Sequence, residues 1–326
     1  MSCSGVGGLH HVDFCGGHEN ESGGQQDSMS LMISSLQLLS FADTGHRRSL
    51  KRLASQARDF GLLRAPKLLT ERDLDQEVFA FARNFFGGRF GRGYGYYFWK
   101  PQIIYQELSK IAEGEVLLYL DAGCHLNPKG RTRMGEYFMW SKESESGILA
   151  FQYRPPAVTA SSNSYEIYTD RQYSKREVRD FFAPKRITTP LLDSGQVASG
   201  IMFFRKCESS LTLVRQWRDS FLIQPSLFDD TLDPGREDPQ FIENRHDQSV
   251  WSLLTKFYGA DTVSAYERWI PKFKGETQDW STLENFPIWA KRDLDQSKWL
   301  NRLRKGARIA VALKKVAYRI ILRKPE

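Results

Sequence analysis

The stretch Val116-Leu117-Leu118-Tyr119-Leu120-Asp121-Ala122-Gly123-Cys124 decides the fold. Its apolar and aromatic residues run without a break and stop at a carboxylate. Such a short run, closed by a turn, predicts a buried strand. In open α/β sheets ligands bind outside the carboxyl ends of the strands, so this strand delivers Asp121 to a binding edge. The residues before it agree. Pro101 suits the first turn of a helix, where its missing N–H is harmless. Ile103, Ile104, Leu108 and Ile111 give that helix an apolar face, and Glu113-Gly114-Glu115 ends it. Helix alternating with strand predicts an α/β fold, a mixed sheet flanked by helices.

Further out, residues 32–41 predict a first strand, 42–45 a turn and 48–60 a helix with Leu50, Leu53, Ala54 and Ala57 at helical spacing. Residues 74–85 predict a second helix. Later elements are expected at 165–169, at 174–182 (helix), 200–205 (strand), 209–221 (helix) and 248–257 (helix), with a polar, acidic loop over 228–244. Residues 1–30 are rich in Gly, Ser, His and Gln and read as disordered. His10, His11, Cys15 and His18 lie there at a spacing that fits no standard zinc pattern. The expected organisation is a disordered lead-in over 1–30, one domain over 31–290, and a basic amphipathic helix or tail over 291–326.

The chain has 326 residues, enough for one large domain with an appendage. Its formal net charge of +7 favours anionic partners: nucleotides, phospholipid surfaces, acidic glycans or nucleic acid. No zinc finger, basic zipper or paired RNA-binding motif is evident, so nucleic acid is not expected. Cys3, Cys15, Cys124 and Cys207 form no CxxC pair, which favours a reducing compartment. No run of 18 apolar residues is present, and the first 30 residues lack the pattern of a signal peptide. A cytoplasmic protein is expected. In the tail, Trp299, Leu303, Val311 and Ile320 interleave with Arg302, Arg308, Lys314 and Arg319. Such a helix either lies on an anionic bilayer or docks on the domain with its basic side in water.

Several segments carry candidate chemistry. Asp121 can hold Mg²⁺ or Mn²⁺ beside a diphosphate, or it can cap the next turn. Residues 88–100 combine flexible glycines with Arg89, Arg92 and Lys100 for phosphate oxygens and with Tyr94, Tyr96, Tyr97 and Trp99 for stacking. The plainer reading is a loop leading into an aromatic element. It has no GxxxxGK[ST] spacing. Arg245-His246-Asp247-Gln248-Ser249 precedes an apolar helical run, so His246 can ligate a metal or touch a diphosphate and Asp247 can orient a hydroxyl; the alternative is a capping Asp and a structural His. The small residues of Ser199-Gly200 let a ligand lie close to the backbone, and Asp193 is a further carboxylate.

Taken together, Tyr97-Phe98-Trp99-Lys100-Pro101, Leu117-Leu118-Tyr119-Leu120-Asp121-Ala122-Gly123-Cys124, Ser199-Gly200-Ile201-Met202-Phe203-Phe204-Arg205-Lys206 and Arg245-His246-Asp247-Gln248-Ser249 resemble GT-A-type glycosyltransferases, specifically bacterial and algal proteins of the capsular-polysaccharide or surface-glycan type. The resemblance spans residues 32–270. It implies a GT-A-like, Rossmann-related sheet, a UDP- or GDP-linked sugar donor, a glycan or other hydroxyl acceptor, and Mn²⁺ or Mg²⁺. In the family's DxD pattern two carboxylates hold metal and donor; Asp121 matches the first and Gly123 stands in place of the second. The implied metal ligands are Asp121 and His246. The implied donor contacts are Arg92, Lys100, Asp121, Gly200 and His246, and the implied catalytic carboxylates are Asp247 and Asp193. The other reading is a non-catalytic glycan- or nucleotide-binding protein on the same fold.

Overall fold

A computed structural model describes residues 35–292, apart from 63, 89, 91, 157–166, 184–186, 234 and 272–277. The expected lead-in, Arg89 and the basic run after residue 297 lie outside the described residues.

The strand that ends at Asp121 forms. β1 (Gln37–Phe41) and β3 (Val116–Leu120) are buried at every position. Four more strands join them: β2 (Lys67–Leu69), β5 (Ile148–Gln152), β6 (Val197–Arg205) and β7 (Asp261–Ser264). The order across the sheet is β2-β1-β3-β6-β5-β7. β6 is antiparallel to both of its neighbours, and the remaining pairs are parallel. The sheet is therefore mixed, as expected. The carboxyl ends of β1, β3, β5 and β7 meet the amino end of β6 along one edge. A separate two-stranded ladder pairs β4 (His125–Leu126) with β8 (Ile288–Trp289) just beyond that edge.

Helices cover both faces because successive side chains of each strand point to opposite sides. Leu117, Tyr119, Ile148, Ala150 and Met202 pack with α3 (Trp99–Lys110), α8 (Glu208–Ile223) and α9 (Asp247–Tyr258). Leu118, Leu120, Leu149, Phe151 and Phe203 face the other way, onto α1 (Arg47–Phe60) and α4 (Arg131–Glu143). α2 (Gln76–Phe85) lies beside the first core and contributes Ala82 to it. Each fully buried Leu, Ile or Phe contributes roughly 1.5–3 kcal/mol.

Some elements differ from expectation. A short helix, α5 (Asp170–Tyr173), precedes the one expected over 174–182, which forms as α6 (Arg176–Phe182). A capping box at Thr169 starts the first, and extended backbone at Ser174 ends it. Of residues 165–169, Thr169 forms an isolated bridge to Gly195, just after α7 (Thr189–Asp193). α4, β5 and β7 were not anticipated. The buried face of α4 mixes Met134, Tyr137 and Phe138 with Gly135 and Ser141, which blurs the helical period. β5 is covered on both faces and shows no alternation. β7 is short and mostly polar.

The glycine-rich segment makes an unusual turn. Gly93, Tyr94, Gly95, Tyr96 and Tyr97 all have positive φ, from 53° to 85°. A left-handed conformation costs a non-glycine residue about 1–2 kcal/mol, so packing has to hold the three tyrosines there. Trp99 Nε1 donates to the Gly93 carbonyl at 3.1 Å. Gly95 has no room for a side chain: a Cβ would lie 2.7 Å from the Phe90 ring. The turn feeds directly into α3 and Lys100.

Candidate active site

The register between β5 and β6 slips between Leu149 and Phe151, and the Ser199–Gly200 step of β6 falls within the slip. A bulge of this kind re-aims side chains. Gly200 lies beside Asp121: Asp121 N donates to the Gly200 carbonyl at 2.9 Å, and a Cβ on Gly200 would sit 2.9 Å from Asp121 Oδ2. Ser199 turns the other way, towards α9, and its Oγ donates to Asp247 Oδ2 at 2.7 Å.

Lys100 joins the two carboxylates. Its Nζ lies 2.8 Å from Asp247 Oδ2 and 3.3 Å from Asp121 Oδ1, and it donates to Ser199 O and Oγ at 3.2 and 3.3 Å. The Tyr119 phenol donates to Asp121 Oδ1 at 2.8 Å. The Tyr97 ring lies 4.9 Å from the ammonium. Burial separates the roles. Lys100 and Asp247 are 2 % exposed, whereas the Asp121 side chain keeps 41 % of its surface. Asp121 therefore presents a carboxylate at the edge, and the others hold it from behind. Arg52 braces the following turn by donating to the carbonyls of Ala122 and Cys124.

The electrostatics follow from this enclosure. Burial opposes the charge on Lys100, but Asp121 and Asp247 outweigh it and hold the ammonium above the ordinary lysine range. Burial lifts the Asp247 carboxyl above its usual value, against the pull of Lys100 and Ser199. Burial and the Asp121 charge push the Tyr119 phenol well up, so it stays a donor. The same two causes push the Cys124 thiol up to about 12, which leaves it inert. Two carboxylates around one ammonium leave one net negative charge, and its exposed part is Asp121.

The predicted residues Lys100, Asp121, Gly200 and Asp247 are thus brought together from four separate elements. His246 neighbours them by sequence, but its Nδ1 engages the Phe228 carbonyl at 2.8 Å, its Nε2 is 3.9 Å from Asp230, and its ring packs on Tyr96. It holds φ of 56° at the start of α9. Arg92 is half-exposed and 3.8 Å from Glu243. Asp193 is not brought to the cluster. It sits at the end of α7 in an ion pair with Arg171, which also binds Asp238, and the bond from Arg171 holds its carboxyl below the usual range. Sequence reading took Ser199 only as a small residue beside a ligand and assigned no role to the Tyr119 hydroxyl. The register slip that aims Ser199 is a tertiary feature.

A resident divalent metal does not fit this donor set. Hard cations seek several oxygen ligands, and among the described residues no group of three His, Cys, Asp or Glu side chains is arranged to hold one. Gly123 supplies no carboxylate. Asp121 Oδ1 already faces an ammonium and a phenol, and His246 is engaged with Phe228.

No family model matches the sequence, and no curated protein matches it. Three solved structures similar to this chain are glycosyltransferases by description. One is a glycosyltransferase involved in the glycosylation of the major capsid of PBCV-1, at 13% identity and TM-score 0.28, covering 58% of this chain and 68% of that one. Another is mouse xyloside xylosyltransferase 1 in its apo form, at 13% identity and TM-score 0.38, covering 78% of this chain and 97% of that one. The third is apo GlyE of Streptococcus pneumoniae TIGR4, at 12% identity and TM-score 0.30, covering 70% of this chain and 45% of that one.

Proposed function

We propose that the protein transfers a sugar from a nucleotide-sugar donor to a hydroxyl acceptor, with Asp121 as the carboxylate that meets the reacting sugar. The observation that carries this reading is the convergence of Asp121, Lys100, Gly200 and Asp247 at the carboxyl edge of the sheet. An exposed carboxylate is fixed there by a buried lysine, and the residue beside it is a glycine whose missing side chain leaves room for that carboxylate. In the transfer, the acceptor oxygen bonds to the anomeric carbon and gives up its proton to Asp121. The bond from that carbon to the diphosphate breaks, and its electron pair leaves on the diphosphate. Preorganised charge that is stronger for the transition state than for the ground state is what accelerates such a step. Asp247 is a positioning residue, acting through Lys100 and Ser199. Mn²⁺ or Mg²⁺ is not carried into the reaction, because the donor set does not fit a resident metal.

The test incubates purified protein with UDP- and GDP-linked sugars and a panel of glycan acceptors and follows nucleotide release and product. Release from one donor that is lost in Asp121→Asn supports transfer. Donor binding without turnover over the whole panel would instead select the non-catalytic binding protein.

A further inference from the structure

On the far side of the β6 start lies a second charged cluster with a different character. Tyr153 follows β5, and its N–H donates to the carbonyl of Gln196, just before β6, whereas Asp121 bonds to Gly200 within it. Two guanidinium groups flank the Tyr153 ring, and a third stands nearby in the chain. Arg245 stands 3.6 Å from the Tyr173 ring, 4.9 Å from Tyr168 and 5.7 Å from Tyr153. Arg268, which follows β7, lies 5.9 Å from the Tyr153 ring. Arg292 is exposed and stands two residues beyond Ala290, whose N–H donates to the Arg268 carbonyl at 2.8 Å. Burial alone would push the Tyr153 phenol up, yet Arg268, Arg245 and Arg292 together bring it below its ordinary value.

No carboxylate among the described residues lies at ion-pair distance from any of these three arginines. Arg268 is 5 % exposed, and its Nε is buried with no hydrogen-bond partner. A buried, unsatisfied guanidinium nitrogen is costly and calls for an acceptor. Like charges gathered without a counter-ion repel one another, and an anion reverses the sign of that interaction. Planar guanidinium groups match phosphate oxygens in pairs. Exposure falls from Arg292 through half-buried Arg245 to buried Arg268, which gives an anion a graded way in.

We propose that Arg245, Arg268 and Arg292 form a diphosphate site above Tyr153, and that these guanidinium groups do for the donor's diphosphate what a divalent cation would otherwise do. The identity of the ligand as the donor's diphosphate rests on the glycosyl-transfer reading; the anion site itself does not. When the sugar departs, the electron pair left on the diphosphate is met by fixed positive charge.

The experiment is calorimetric titration of the full chain, in EDTA, with pyrophosphate, UDP, GDP and the uncharged nucleosides. Wild type is compared with Arg292→Gln, Arg245→Gln and Arg268→Lys, with circular dichroism to check folding. Arg292 is exposed, so its variant tests the site even if a buried arginine proves necessary for the fold. Pyrophosphate and one nucleoside diphosphate are expected to bind without metal, with Kd raised about ten-fold in each variant for one lost charge-assisted contact and with nucleoside binding unmoved. Absence of pyrophosphate binding in EDTA overturns the site, as does unchanged affinity in both Arg292→Gln and Arg245→Gln. If UDP or GDP binds equally well to every variant, the donor reading survives and the arginine site falls. If pyrophosphate behaves as expected while neither nucleotide binds, the anion site stands and its assignment to a nucleotide donor falls.

Discussion

Lys100 and Asp247, each the second or first residue of its helix, meet at 2.8 Å with both side chains almost wholly withdrawn from water. That bond ties α3 to α9 across the amino end of β6. It also fixes which carboxylate of the cluster faces outward.

Replacing the cation should leave a buried carboxylate unbalanced. Lys100→Met is expected to lower stability by about 3–5 kcal/mol near neutral pH, read by urea denaturation. The deficit should shrink in acid, as Asp247, its carboxyl already raised by burial and now freed from Lys100, takes a proton. In the wild type the sign is opposite. The folded-state value of Lys100 is raised, so its contribution is full below the ordinary lysine value and is lost as pH climbs through the raised one. Wild-type stability at neutral pH should therefore not depend on Lys100 titration, and a wild-type loss from this pair should appear only in strong alkali.

Gly200→Ala should separate activity from stability. Its methyl group would press on Asp121 Oδ2 from 2.9 Å, against the end of a side chain that can swing away. The thermal midpoint should correspond to a loss below about 1 kcal/mol. Turnover should drop by about 100-fold, because a displacement near 1 Å is enough to spoil alignment. Full activity in this variant would remove Asp121 from the reacting centre.

Gly195→Ala should do the reverse. There the added Cβ would lie 1.9 Å from the Tyr153 carbonyl, and backbone cannot swing away. Denaturant titration should show a loss of about 2–3 kcal/mol, in the range of overpacked interiors, together with disturbance of the Thr169–Gly195 bridge.

Tyr153 should ionise ahead of an ordinary phenol. Its arginine-rich surroundings depress the folded value against the effect of burial, so it contributes stability above the unfolded phenol value and loses that contribution as pH falls through the folded one. Ultraviolet titration of phenolate should show an early component that disappears in Tyr153→Phe. Bound pyrophosphate, by neutralising the arginines, should move that component to higher pH.

The legible part of this protein was the part written in contiguous residues. The apolar run before Asp121 announced β3 and the direction in which it delivers its carboxylate. Pro101 and the spacing of Ile103, Ile104 and Leu108 announced α3, and with it Lys100. The convergence of Lys100, Asp121, Gly200 and Asp247 was anticipated only as residues of one site. That Lys100 would be buried between two carboxylates is a tertiary fact, set by the antiparallel course of β6 and by its slipped register at Ser199. Asp193 looked equivalent to the others in one dimension and is claimed by Arg171 in three. The arginine cluster was hidden for a related reason. Arg268 and Arg292 follow β7 and β8, strands too short to be read from alternation.

The strand that lies between β3 and β5 is made after both of them. As the chain emerges from the ribosome, β3 has no neighbour on one side until residues 197–205 appear, and β5 waits for the same strand. Lys100 waits longer still, since Asp247 opens a helix made near the end of the domain. A nascent or prematurely terminated chain that stops before α9 thus exposes unpaired strand edges and holds a lysine that favours water over its intended burial. Non-local pairings of this kind make folding slow. Such fragments should be cleared by proteolysis rather than persist as half-proteins. The buried ammonium therefore acts as a test of completeness, passed only by a chain translated past Asp247.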